Sequence, residues 1–155
     1  MYKRQHPPLR KRAQDGAGLA LPRLVARTYD KVRALVTDAE SRPDGPEQEE
    51  LWHDARKAAK QSRYAAESVE SVFGEDATAF AAAMEAVQEA LGEHQDSVLT
   101  RDRLHSLALH ASSTEVAFLY GRLHAQEEAR SATSHEHFAT AWKAAGRKRL
   151  HRWLR

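Results

Sequence analysis

The sequence predicts an all-α fold, a single antiparallel four-helix bundle, and three observations carry that prediction. Composition favours helices: Ala, Leu and Glu are abundant, Ile is absent, and 155 residues hold only seven Gly and five Pro. Apolar residues recur in steps of three and four, most plainly at Phe80, Met84, Val87, Leu91, His94 and Val98. Turn signals cluster in a few short stretches, which leaves four long segments uninterrupted.

Residues 1–19 carry Pro7, Pro8, Gly16 and Gly18 among several Lys, Arg and His, and read as a flexible basic arm. Residues 20–155 form the folded unit. Leu24, Val32, Leu35 and Val36 give a first helix from Leu21 to about Glu40. The loop "SRPDGPEQ" follows, and Pro46 with Glu47, Glu49 and Glu50 marks the start of a second helix, because Pro and acids both suit a helix N-terminus. That helix runs to about Phe73, where Gly74 ends it. A third opens at Glu75–Asp76 and continues to about Ala111. "SST" before Glu115 is a capping signal for the fourth helix, which reaches Gly146 or beyond. Short loops between long helices make neighbours antiparallel.

Charge and cysteine content bound the function. A net charge of +2 carries no argument from bulk charge, so a binding site for an anion must come from local clustering. The 17 Arg and 7 Lys favour guanidinium, which contacts phosphate bidentately. With no Cys there is neither a disulfide nor a thiolate metal site, which fits a reducing cytosol. No stretch is apolar enough to span a bilayer.

One cluster stands out. "HDARKAAKQSRYAAE", His53 to Glu67, places five potentially cationic side chains in eleven residues with no acid between Asp54 and Glu67. On a helix, His53, Arg56, Lys57, Lys60, Arg63 and Tyr64 fall within about 120° of arc and roughly 16 Å of length. Leu51, Ala55, Ala58, Ala59, Ala65, Ala66, Val69 and Phe73 take the opposite side. Surface helices usually mix signs, since like charges three or four apart repel by a few tenths of a kcal/mol. A same-sign row without its own acids points to an external anion.

The pattern His53-x-x-Arg56-Lys57-x-x-Lys60-x-x-Arg63-Tyr64-x-x-Glu67 resembles the signature helix of CHAD domains, the conserved histidine α-helical domains. "LGEHQDSVLTRDRL", Leu91 to Leu104, resembles that family's LGxxxD motif with a following apolar and basic stretch. The resemblance covers roughly residues 20–155. It implies a helical bundle that binds inorganic polyphosphate in a basic groove, in the cytoplasm and in association with polyphosphate granules, without catalysis and without a cofactor. Position by position it makes His53, Arg56, Lys57, Lys60, Arg63 and Tyr64 the anion-facing residues. Gly92 and Asp96 become supporting residues, the acid orienting a basic side chain, and Arg101 and Arg103 become further contributors. A full family member carries two such units; this chain is similar to one, the C-terminal one. A homodimer or a separate second CHAD unit is therefore an expected partner. Bound phosphate would also favour a charged His53.

Other patterns point elsewhere and more weakly. His94 sits on the apolar seam and reads as a hydrogen-bonded core histidine. Glu50-x-x-His53 is half of a di-iron carboxylate motif whose second copy is absent, so no metal is expected. Arg130-x4-His135 resembles the short signature of helical HEPN-type RNases, which makes an RNA-binding or RNA-cleaving domain the alternative reading. Trp142 and Trp153 read as anchors of the bundle. The basic segment "KAAGRKRLHRWLR", from Lys143 onward, is a candidate to line the same groove, and no membrane partner is expected.

Overall fold

The computed structural model describes residues 16–155. Most of the basic arm assigned to residues 1–19 lies outside them. Helix α1 spans Ala17–Glu40, starting four residues before the expected Leu21 and carrying Pro22 in its second turn. Proline's fixed φ is helical, but in the second turn it removes one backbone bond and crowds the carbonyl four residues back. Helix α2 spans Pro46–Glu67, with Pro46 in its first turn and Glu47 and Glu49 at the positive end of the dipole, as the sequence predicts. The expected continuation to Phe73 is interrupted. The Ser68 hydroxyl bonds back to the Ala65 carbonyl at 2.8 Å, competing with the helical ladder. The turn at Ser68–Val69 buries Val69, and a separate turn of helix, α3 (Glu70–Phe73), follows. Helices α4 (Glu75–Leu109) and α5 (Thr114–Ala145) are long. Ser113 caps α5 by accepting the Val116 N–H, as its motif predicts.

After Ala145 the chain does not continue as α-helix. Residues Lys148–Leu154 form a 3-10 segment, and His151 folds back to donate from Nε2 to the Ala145 carbonyl at 2.7 Å. This occupies one of the carbonyls a helix C-terminus leaves free. No strand occurs among the described residues.

Contacts between helices show how they pair. The Ala39 carbonyl meets Gln48 and Thr28 meets Ser62 across α1 and α2. Glu49 meets His94 and Arg63 meets Glu85 across α2 and α4. Glu93 meets His137 and Ser97 meets the Glu127 carbonyl across α4 and α5. In each pair, residue numbers rise along one helix as they fall along the other. The core lies between them: Val25, Val32 and Val36 of α1, Trp52 and the alanines 55, 58, 59 and 66 of α2, Phe80, Met84, Val87 and Leu91 of α4, and Phe138 of α5. Tyr29 and Phe80 meet edge to face, and Trp142 stacks on Phe138 while Trp153 packs against Phe73 and Phe80, so both tryptophans anchor the bundle.

The bundle is not uniform along its length. No residue from Val98 to Arg130 is buried, so the last third of α4 and the first half of α5 form a two-helix hairpin. Leu109 and Phe118 are among its exposed side chains. Among the described residues, no helix is long and apolar enough to cross a membrane.

The joint between α3 and α4 is a single residue, Gly74, at φ 53°. With ψ −132° this is backbone that essentially only glycine adopts, and it costs a side-chain-bearing residue about 1–3 kcal/mol. Gly74→Ala should therefore destabilise the fold by about 1–3 kcal/mol in urea unfolding, although open space surrounds the position.

Candidate anion-binding face

Helix α2 buries its small residues and exposes its charged ones. Ala55, Ala58, Ala59, Ser62 and Ala66 are buried, and their small size lets α1 and α4 approach closely. The row His53, Arg56, Lys57, Lys60, Arg63 and Tyr64 stays on the far side, half-buried at His53, Arg56 and Arg63 and exposed elsewhere.

The partners of this row come largely from α4, in a regular register. Nη1 of Arg56 donates to Oε1 of Gln95 at 3.2 Å, and Nδ1 of His53 meets Nε2 of the same amide. The Arg56 guanidinium also lies over Gly92, where an added Cβ would stand 3.2 Å from its Nε. Seven residues on along α2 and seven back along α4, Arg63 donates from Nη1 to Glu85 at 2.7 Å. Its Nε lies 3.2 Å from a Glu67 oxygen, near enough for an ion pair but without hydrogen-bond geometry. The Arg63 side chain is only 16% exposed and its guanidinium sits 4.8 Å from the Tyr64 ring centroid. Lys60 approaches the same ring at 5.7 Å. Lys57 pairs with Asp54 at 2.6 Å, and this bond holds the Asp54 carboxyl below its usual range.

The acid-free row expected from the sequence is thus partly compensated. Four permanent cations on α2 meet three carboxylates: Asp54 and Glu67 at the ends of the row, and Glu85 from α4. Arg63 is the most heavily committed. Lys60 has no carboxylate within ion-pair distance among the described residues, and Arg56 has only the neutral Gln95, with its Nε buried and lacking an acceptor. Positive charge is therefore open at Arg56 and Lys60.

The other sequence-assigned residues make no hydrogen bond or ion pair with the row among the described residues. Arg101 lines a cavity of about 780 Å³ with Glu49, His94, Ser131 and His135, beside the start of α2. Lys143 lines another, of about 590 Å³, with Tyr29, Asp30, Arg33 and His151. Neither cavity includes a residue from His53 to Tyr64. Arg103 is exposed on α4. Asp96 is exposed too, and its carboxylate pairs with no basic side chain among the described residues; its backbone carbonyl accepts from Thr100. Its neighbour Gln95 makes the contacts to the row. Gln95 and Glu85 carry a signal only once α4 is set in register: they stand three residues after and seven before the glycine that faces Arg56.

His94 is the buried, hydrogen-bonded histidine expected of its seam position. Its Nε2 donates to Glu49 at 2.9 Å, and its Nδ1 lies 3.2 Å from the Ser131 hydroxyl. The hydrogen bond from His94 holds the Glu49 carboxyl low, against the upward push of burial and with help from the charges of His94, Arg101 and His135. Among the described residues no three His, Asp or Glu side chains converge as metal ligands. Arg130 and His135 take different partners, Glu127 and the His94 ring respectively.

A CHAD domain matches over residues 2–105, which is more than half of the chain and takes in α1 to α3 and most of α4. The chain belongs to the CHAD-domain family. No curated protein and no solved structure matches it.

Two predictions follow the geometry. Replacing a helical Gly by Ala normally stabilises by about 1 kcal/mol, but at Gly92 the new methyl must displace Arg56. Gly92→Ala should leave stability within about 1 kcal/mol of wild type, and the same change in an Arg56→Ala background should stabilise by about 1 kcal/mol. Urea unfolding of the four proteins measures the coupling. A carboxyl held low, as at Glu49, adds stability above the ordinary carboxylate range and loses it as pH falls through the lowered value. Glu49→Gln should therefore flatten the acid limb of a stability–pH curve and change its neutral-to-alkaline part less.

Proposed function

We propose that this chain binds inorganic polyphosphate, without chemistry of its own, along the outward face of α2. The observation that supports the reading most is the row's asymmetry of compensation. Carboxylates anchor Arg63 and Lys57, whereas Arg56 and Lys60, each next to Lys57 in the row, lack an acid partner among the described residues. An anion with evenly repeated charge suits such a row, since each phosphate oxygen can accept from a successive side chain and release counterions as it does so. The family's resemblance-based role agrees with this chemistry. A single row touches the anion from one side, so a second copy of the chain or a separate CHAD unit is the partner we propose for the facing wall.

Charge-assisted hydrogen bonds contribute about 1.5–3 kcal/mol each. Arg56→Ala and Lys60→Ala should each weaken binding of long-chain inorganic polyphosphate by roughly tenfold to a hundredfold, with little loss of stability. Arg63→Ala behaves differently: both its carboxylate partners are substantially solvated, so it should cost up to about 1 kcal/mol of stability. Calorimetric titration at two salt concentrations measures the affinities. Binding that ignores both substitutions, or ignores salt, overturns the proposal.

A further inference from the structure

Gln95 stands between Arg56 and His53, and the three groups have only one consistent pattern of donors and acceptors. A guanidinium donates and never accepts. The Gln95 atom facing Arg56 must therefore be its oxygen, as it is, with Nη1 at 3.2 Å. That leaves the amide nitrogen facing Nδ1 of His53. An amide nitrogen carries two hydrogens and no available lone pair, so Nδ1 must supply the lone pair and the ring proton must sit on Nε2.

We infer that Gln95 is a positioning residue that holds His53 as the neutral Nε2–H tautomer, which meets phosphate as an uncharged donor. The phosphate half of this inference rests on the anion-binding reading above; the tautomer half stands on the geometry alone. Nδ1 is occupied, and Nε2 has no partner among the described residues, so one N–H is free for an incoming oxygen. A second ring proton would set Nδ1–H against the amide hydrogens. Turning the amide to relieve that clash would set those hydrogens against Arg56 instead. Arg56 and Lys60 bring charge, and His53 brings a directed hydrogen bond.

The device is built from the helix register. Gln95 follows Gly92 by three positions on α4, as Arg56 follows His53 by three on α2. The glycine that lets Arg56 lie against α4 therefore also brings the amide level with both side chains. A carboxylate at position 95 would accept from both neighbours and draw the histidine proton to Nδ1. An apolar residue there would leave the tautomer unconstrained.

The test uses ¹⁵N-labelled full-length protein at mildly alkaline pH, where unconstrained imidazoles are neutral. Long-range ¹H–¹⁵N spectra assign each ring nitrogen as protonated or bare. Wild type should show His53 bare at Nδ1 and protonated at Nε2, Gln95→Leu a mixture, and Gln95→Glu a protonated Nδ1. Titration with long-chain inorganic polyphosphate should then show binding by Gln95→Leu within about twofold of wild type, the loss that a mixture of two tautomers allows, and binding by Gln95→Glu about tenfold or more weaker, the loss expected of one charge-assisted hydrogen bond. A wild-type His53 protonated at Nδ1 overturns the inference. So does a Gln95→Glu variant that is folded by circular dichroism and binds as wild type does. Wild-type protein that binds no polyphosphate overturns the anion reading and the donor role together, while the imidazole spectrum still decides the tautomer.

Discussion

Where α4 packs against α2, Gly92 leaves room that the Arg56 guanidinium fills, and this contact sets the register for the whole basic row. A methyl group there would stand 3.2 Å from the arginine Nε, tighter than side chains normally tolerate, so Arg56 would have to move. With the glycine in place, equal steps along the two helices bring His53 to Gln95, Arg56 to Gly92 and Arg63 to Glu85. The buried alanines of α2 make the close approach available, and the row on its other face inherits partners from a helix that the local sequence never mentions.

Those partners decide how the row carries its charge. Like charges in steps of three and four would repel by a few tenths of a kcal/mol per pair, and the observed carboxylates relieve much of that. Glu85 and Glu67 converge on Arg63, the less exposed of the two ion-paired cations on the face, and Asp54 steadies Lys57. Exposed pairs of this kind contribute at most about 1 kcal/mol. Their effect is to order the ends of the row more than to stabilise the fold. Beside them, Arg56 meets a neutral amide and Lys60 an aromatic ring, neither of which cancels a charge that an anion could take up.

Much of this was legible in the sequence, and the rest was not for identifiable reasons. The four long helices follow from apolar spacing, and the caps at Pro46 and Ser113 follow from local chemistry. The break after Glu67 depends on Val69 turning into the core, a tertiary preference that overrides a continuous helical pattern. The C-terminal segment has helical spacing at Leu150, Trp153 and Leu154 yet winds as 3-10, with His151 held to the end of α5. At the site, periodicity within α2 placed the row on one face. Gln95 and Glu85 were hidden because a single helix cannot reveal the register of its neighbour. Arg101 was assigned from the motif resemblance and Lys143 from its basic segment, and in the fold each lines a cavity of its own.

The account rests on the anion lying along α2 and touching α4 at Gln95. Mapping backbone and side-chain NMR shifts during addition of long-chain inorganic polyphosphate tests this directly. The predicted result is a continuous set of changes running from His53 through Arg56 to Lys60 and Tyr64, with the Gln95 amide among the most affected and the Arg101 and Lys143 cavities little changed. Changes confined to either cavity, or to the hairpin between Val98 and Arg130, would contradict it.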